Sequence, residues 1–307
     1  MTVSTRLRFS VIGAGRVGTV LAVALQQAGH QLIGVTANTG ENKLRLRALL
    51  PEVPTMAADD LVKSSDLIIF ALPDDQLQAT INGLSSQGIF KRGQILAHVS
   101  GAHALAPFTL PLQHGLSVLA IHPAMTFTGT AMDLPKLQGC PWSVCAPDEE
   151  TSYIGQALVI ELGGEPQVMS QQDRGLYHAA LSLVANNMIA LVSQATDILR
   201  DIGIKSPGKY LHPLLAATLE RAAAVADEGL DPVAGLTGPL IRGDVGTIEK
   251  HVVALKEYEI EHDRIEYLAT YQQLAQVLIS RGMRADRLAP TQALELYDAL
   301  RATNAEE

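Results

Sequence analysis

The sequence predicts an α/β fold, a doubly wound parallel sheet over residues 1–165, followed by an all-helical C-terminal domain over residues 166–307. Three observations predict it. Short apolar runs alternate with helical periodicity through the first half, the pattern of parallel strands covered on both faces. The first of those runs feeds a glycine-rich turn, GAGRVG at 13–18, which opens a helix. From about Ser170 strand signals nearly stop and helical periodicity takes over.

Residues 7–12 are the first strand, apolar at Phe9, Val11 and Ile12. Gly13, Gly15 and Gly18 then form G-x-G-x-x-G, with Ala14, Arg16 and Val17 between them. Gly13 permits the tight turn, Gly15 lets a pyrophosphate approach the backbone, and Gly18 lets the helix pack on the strand. The free N–H groups and positive dipole end of the helix face the phosphates. In this strand–turn–helix setting the motif specifies a Rossmann-type dinucleotide site. Residues 31–35 form the second strand. An NAD-preferring site carries Asp or Glu at its end, but here Thr36, Ala37, Asn38 and Thr39 follow, and Glu41 is expected in a loop. The missing carboxylate favours NADP over NAD, with Lys43, Arg45 and Arg47 near enough to pair with a 2′-phosphate. The same three cations also suit the solvated face of a helix.

A short helix is expected over 59–63 and a third strand over 66–72. Leu72 and Pro73 lie at the strand's carboxyl end, so this loop should border the cofactor. Asp74 reads as the N-cap of a helix over 75–84. Strands follow at 95–99, 116–121 and 142–145, and a helix runs from 147 or 148 to about 162. In the second half, 170–204 reads as one long helix with Ser170 as its cap. It is apolar on more than one side, which predicts burial at a domain centre or in a subunit interface. Ser206 and Pro207 start a second helix, and Asp231 and Pro232 a third segment. A turn-rich stretch occupies 236–246, and helices are expected over 244–256, 260–281 and 290–301.

Three groups of polar residues interrupt apolar surroundings. His178, Ser182 and Asn186 share one helix face at spacings of four and eight, with Tyr177 and Asn187 beside them. They form either a buried hydrogen-bond network or a ligand site. His98, Ser100 and His122 stand at or near strand carboxyl ends, the cofactor side of such a sheet. Ser100 suits substrate or nicotinamide binding, since no G-x-S-x-G elbow surrounds it. Third, LTGPLIRGD at 236–244 holds Thr237, Arg242 and Asp244, with Thr247 and His251 downstream. Asp244 can cap the next helix, and the planar fork of Arg242 suits a carboxylate.

Composition narrows the function classes. The 307 residues are 47% hydrophobic and 18% charged, enough for one large or two ordinary cores. A net charge of -9 argues against a nucleic-acid footprint. The first eight residues lack the apolar segment of a signal peptide, and no run of about 18 uninterrupted apolar residues suggests a membrane span. The chain therefore reads as cytoplasmic. Cys140 and Cys145 read as reduced thiols, and without clustered histidines they do not suggest a metal site.

The motifs GAGRVG, DLIIFALPDD at 66–75, HVSGA at 98–102, HPAMTF at 122–127, LYHAA at 176–180 and LTGPLIRGD with His251 come in a recognisable order. Together they resemble a bacterial family joining a Rossmann-like domain to a helical domain of unknown function, over about residues 8–255. That family is similar in architecture to pyrroline-5-carboxylate reductase, ketopantoate reductase and the 6-phosphogluconate dehydrogenase superfamily. The resemblance implies hydride transfer from NADPH to a small keto or imino acid, with the helical domain supplying substrate contacts and a homodimer interface. On that reading His178, Asn186 and His122 are the catalytic candidates. Ser100, Thr237, Arg242 and Asp244 would bind substrate. Gly13 through Gly18, Thr36, Asn38, Leu72, Pro73 and Ser100 would bind cofactor. Ketopantoate reductase and the β-hydroxyacid dehydrogenases carry a Lys four residues before an Asn on the long helix. Here Ser182 or Leu183 stands at that position, according to whether Asn186 or Asn187 is the Asn. Two alternatives remain open: a non-catalytic NADP(H)-binding regulator, and a deazaflavin-dependent NADP oxidoreductase.

Overall fold

The computed structural model describes residues 6–301. It forms two compact units that part within one long helix, the first reaching to Asn186 and the second beginning at Asn187.

The first unit is built on a seven-stranded sheet. The strands are β1 (Arg8–Ile12), β2 (Gln31–Thr36), β3 (Leu67–Phe70), β4 (Ile95–His98), β5 (Ser117–Pro123), β6 (Pro141–Cys145) and β7 (Glu165–Val168), in the order β2-β1-β3-β4-β5-β6-β7. The helices between them are α1 (Arg16–Gln27), α2 (Gly40–Leu49), α3 (Ala58–Ser64), α4 (Asp74–Ser86), α5 (Thr109–Gln113) and α6 (Glu149–Glu161). Successive residues of β1 and β3 feed opposite faces, as the period of a strand requires. Phe9, Val11, Leu67 and Ile69 enter one apolar cluster, and Ile12, Ile68 and Phe70 enter the other. Strand order reverses direction at β1 and β3, which puts a crevice at their carboxyl ends, where ligands of such sheets bind.

Helix α7 (Arg174–Asp201) leaves this unit and continues into the second. There α8 (Pro207–Asp227), the short α9 (Pro239–Arg242), α10 (Val245–His262), α11 (Tyr267–Arg284) and α12 (Pro290–Arg301) follow. Its core is the meeting of α10, α11 and α12 through Ile248, Val252, Ala275, Ile279, Leu296 and Leu300.

The fold class matches the expectation, with five corrections of detail. First, the sheet is not parallel throughout. β6 runs antiparallel to β5, pairing His122 with Ser143. Second, β7 continues the sheet to Val168, beyond the expected change near residue 165. Its sequence, EPQV, has too little apolar character to signal a strand; pairing with β6 makes it one. Third, Asp74 is not a cap. The N-cap of α4 is Pro73, and Asp74 is already helical, placed favourably at the positive dipole end. Glu41, expected in a loop, likewise stands in the first turn of α2. Fourth, the expected helix over 260–281 is broken. Asp263 takes a left-handed conformation (φ +52°) that ends α10, and the Glu259 carboxylate accepts the backbone N–H groups of Tyr267 and Leu268 at the start of α11. Ser170 likewise stands outside α7, bonded to Asp173.

The fifth correction concerns the long helix. Arg174 is the one buried residue of α7, while Leu176, Leu183, Val184 and Ile189 lie open, Leu176 at 77% exposure. In a single chain the apolar helix is therefore uncovered rather than central. By length and composition alone α7 could cross a membrane. Its first turns, however, are tied by hydrogen bonds to the sheet unit, and Asn186, Asn187, Gln194 and Asp197 punctuate its length, costly groups in a bilayer.

Candidate functional site

The glycine turn follows β1. Gly13 has φ +108°, and a Cβ there would lie 2.4 Å from the Ala71 carbonyl oxygen. A Cβ on Gly18 would lie 2.0 Å from the Gly13 carbonyl oxygen, so only glycine lets α1 seat on the strand. Gly15 differs from both, because a Cβ there would meet nothing within 4 Å. The backbone at Gly15 faces open space. Gly15 is also the N-cap of α1, with no side-chain cap and no acid in the first turn. Uncapped N–H groups and a positive helix end thus border a void, the donor set a pyrophosphate takes. The residues present fit a dinucleotide.

Thr36 shapes this turn. Its hydroxyl accepts the Gly13 N–H at 2.8 Å and its carbonyl accepts the Ala14 N–H at 2.8 Å. Leu72 lies against Gly13, a methyl carbon 3.1 Å from the Cβ position. Arg16, Asn38 and Pro73 are exposed around the turn. Of the three cations considered for a 2′-phosphate, Lys43 and Arg47 lie on the solvated face of α2. Arg45 is half-buried, held by Glu41 at 2.6 Å and Asn42 at 3.0 Å. Its Nε and the backbone and side chain of Arg16 both crowd the Cβ position of Gly129, so the two arginines flank one loop.

A second cluster forms where β4, β5, β6 and the start of α7 meet. Arg174 is fully buried and has no carboxylate partner among the described residues. Its Nε donates to the His103 carbonyl at 2.7 Å, Nη2 to the Ser100 carbonyl at 2.7 Å, and Nη1 to the Ser143 hydroxyl at 2.9 Å. These bonds fix the 100–103 loop at the end of β4. The Ser100 hydroxyl is engaged too, accepting the His103 N–H at 3.1 Å. Ser143 and His122 are direct cross-strand partners and so share a face of the sheet. Tyr177, one helical turn beyond Arg174, brings its hydroxyl 3.1 Å from His122 Nδ1. The His178 ring stands edge-on to that of His122, with centroids 6.0 Å apart. Gly101 makes this approach possible, since a Cβ would lie 2.4 Å from His178 Cδ2 and 2.9 Å from His122 Nε2.

Electrostatics keep His122 and His98 neutral. Burial first, then the Arg174 charge and His178, pushes His122 down to about 4. His98, fully buried, is pushed down to about 3 by burial and the Arg174 charge, against the opposing effect of its bond to the Ala104 carbonyl. Its Nε2 donates to that carbonyl at 2.7 Å and its Nδ1 accepts the Ser100 N–H at 3.3 Å. With both nitrogens used, His98 is a structural strut. Burial raises the Tyr177 phenol, while Ser143 and Arg174 oppose the rise.

The structure therefore brings together His122, His178 and Ser100, but not Asn186. That residue lies eight positions beyond His178, about 12 Å along the helix axis, and is exposed. Sequence reasoning missed Arg174 and Ser143. The signal for Arg174 was present: a lone arginine opening an apolar helix, three and four residues before Tyr177 and His178. Ser143 carried no signal, because its place depends on the antiparallel pairing of β6.

Thr237, Arg242 and Asp244 belong to the second unit. Asp244 caps α10, accepting from the Thr247 N–H at 3.2 Å and hydroxyl at 2.8 Å. Arg242 donates to the Thr237 carbonyl at 2.6 Å and keeps an exposed guanidinium 3.8 Å from Asp244. Thr237 also lines a cavity of about 630 Å³ with Leu214, Arg221, Val233 and Leu278. His251 is engaged by the Tyr271 hydroxyl at 2.9 Å. Both cysteines are free and buried, and no group of metal-ligating side chains occurs among the described residues.

Two family models match the chain, one for a Rossmann-like domain over residues 2–123 and one for the domain of unknown function DUF2520 over residues 140–278. No curated protein sequence matches. Solved structures do. A protein from Bacteroides fragilis provisionally named an NADP oxidoreductase is 21% identical, with a TM-score of 0.71, covering 89% of this chain and 98% of its own. 1-Pyrroline-5-carboxylate reductase from Streptococcus pyogenes is 19% identical, with a TM-score of 0.56 and coverage of 73% and 81%. An imine reductase from Myxococcus stipitatus in complex with NADP+ is 20% identical, with a TM-score of 0.54 and coverage of 96% and 93%. At these identities the likeness is one of fold.

Proposed function

We propose that this chain, whose residues 2–123 and 140–278 match models of a Rossmann-like domain and of DUF2520, is an NAD(P)-dependent oxidoreductase acting on a small keto or imino acid. The observation that carries the reading is the glycine turn. Gly15 faces open space at an uncapped helix end, on the same sheet edge as His122 and His178. The named activities of the structural neighbours point the same way.

When bound, the reduced nicotinamide supplies a hydride. The protein's own part is threefold. The first turn of α1 holds the pyrophosphate through backbone N–H groups. The Ser100–Gly101 loop, pinned by Arg174, borders the reacting end. His122 and His178 face the reacting group and exclude water from it, and a neutral imidazole there can hold a proton at a fixed nitrogen. NADPH is preferred over NADH because residues 36–39, at and just after the end of β2, hold no carboxylate and Arg16 and Arg45 flank the neighbouring loop. The open apolar faces of α7 and α8, with Leu183, Ile189, Tyr210 and Leu214 exposed, are covered by a second copy of the chain.

Titration of the protein against NADPH and NADH by nicotinamide fluorescence, followed by a panel of keto and imino acids, tests this. Saturable binding, tighter for NADPH, with cofactor consumption by at least one acid is expected. The missing Lys favours a second reading, a dinucleotide-binding regulator. Binding without consumption across the panel would establish that reading instead.

A further inference from the structure

Arg45 reaches back along its own helix. Its Nη2 lies 2.6 Å from Glu41 Oε1 and its Nη1 3.0 Å from Asn42 Oδ1, four and three residues earlier. Side chains of a helix lean towards its N-terminus, so the guanidinium rests beside the first turn of α2. That turn opens at Thr39, whose hydroxyl accepts the Asn42 N–H at 3.1 Å, just after the end of β2. In a sheet of this order the adenosine ribose of a dinucleotide lies there. Arg45 also reaches the phosphate turn. A Cβ on Gly129 would lie 2.6 Å from Arg45 Nε and 3.0 Å from the Cα of Arg16, the first residue of α1. Asp133, fully buried, fixes the loop that carries Gly129, accepting the Gly129 N–H at 2.8 Å and the Thr128 hydroxyl at 2.9 Å. The Arg45 side chain is accordingly 12% exposed. Room for a ligand remains around it. Gly15 and Gly40 alike have nothing within 4 Å of a Cβ position, and Asn38 and Thr39 are exposed.

Glu41 has the freedom that Arg45 lacks. Its side chain is 74% exposed, and a pair of this spacing on a helix surface is weak. A phosphate makes a stronger partner, since it meets the planar fork with two oxygens and carries more charge. We propose that Glu41 stands in for the 2′-phosphate of NADPH. Its carboxylate holds Arg45 until that phosphate displaces it, and so lowers the selectivity for NADPH over NADH that Arg45 confers. The inference rests on dinucleotide binding at the glycine turn, and deepens it by naming the residue that sets the ratio. NADH carries a hydroxyl at the same place, which leaves the Glu41–Arg45 pair intact. NADPH must break the pair and then keep its phosphate near the displaced carboxylate. Both costs fall on NADPH alone. Glu41 is a specificity residue with no part in hydride transfer.

Dissociation constants of NADPH and NADH, read by nicotinamide fluorescence at one ionic strength, test this in the native protein and in two variants. Glu41→Gln should tighten NADPH about 10-fold and leave NADH within about 2-fold. Arg45→Gln should weaken NADPH about 30-fold and again leave NADH within about 2-fold, so that NADH binding is the control for folding. On the Arg45→Gln background, Glu41→Gln should gain about 3-fold or less for NADPH, because no pair remains to break. Unchanged or weaker NADPH binding in Glu41→Gln, or both cofactors tightened alike, overturns the proposal. Equal loss of both cofactors in Arg45→Gln overturns it too, since Arg45 would then serve a group the two share or the fold itself. If the native protein binds neither cofactor, the dinucleotide reading fails and this inference with it. If it binds both and the variants do not separate them, the inference alone fails.

Discussion

The glycine turn and the Arg174 cluster lie on one edge of one sheet, yet they are made in opposite ways. The turn is six consecutive residues, whose constraints are backbone constraints. Gly13 and Gly18 are packed against Ala71 and each other, and Gly15 alone faces open space. The cluster is assembled from the end of β4, from β5, β6 and the first turn of α7, and it depends on side-chain hydrogen bonds between segments as much as 74 residues apart. In the turn, function needs the absence of side chains. In the cluster it needs a buried charge held by neutral acceptors.

Variants in the two regions should therefore fail differently. The largest effect is expected for Arg174→Met. It leaves two buried carbonyls and a buried hydroxyl without their donor, at about 1–3 kcal/mol each, so a fall of about 3 kcal/mol or more in unfolding free energy should appear in urea denaturation. A stable Arg174→Met protein would break the comparison. Gly15→Asp should do the reverse. Its side chain points into open space, so the urea midpoint should hold. A carboxylate in the phosphate's place should weaken NADPH binding at least 100-fold, about 2.7 kcal/mol. Loss of fold in Gly15→Asp would show that Gly15 packs as Gly13 and Gly18 do.

Acid sharpens the contrast further. His98 and His122 titrate at about 3 and about 4 in the folded protein, below the ordinary value near 6.5. A depressed value means that the unfolded chain binds the proton first, so stability is complete above pH 6.5 and is lost as pH falls. Between about pH 6 and pH 4 each histidine should cost about 1.4 kcal/mol per pH unit. Urea midpoints taken from pH 7 to pH 4.5 should show this slope, reduced by about half in His122→Asn and unaltered in Gly15→Asp. The smallest effect is expected for Thr36→Val, which removes the hydroxyl accepting the Gly13 N–H. It should cost about 1 kcal/mol and loosen NADPH binding less than Gly15→Asp does.

The glycine turn was legible because every residue of it is local. Spacing of three glycines between a strand and a helix specifies the geometry without reference to anything distant. The cluster was legible only in part. His122 and His178 stood out as polar groups in apolar settings, and strand ends gave them a side of the sheet. Their partners were hidden. Ser143 reaches His122 through a strand pairing that runs against the rest of the sheet, and no pattern within β6 announces its direction. The line from His178 to Asn186 was correct as a helix face and misleading as a site, because a shared face says nothing about the two turns that separate its ends.

By itself the sequence determined six of the seven strands in their order along the chain, the helical second half and the glycine turn. These follow from periodicity and from backbone freedom, which are properties of neighbouring residues. It also set the neutral Asn38–Thr39 pair just after β2, where an acid would have favoured NAD. Only the tertiary structure decided that β6 turns antiparallel, that Arg174 is buried without a counter-charge, and that Tyr177 meets His122. Those outcomes depend on which distant groups satisfy one another when buried, and a buried donor finds its acceptor only after the chain has folded around it.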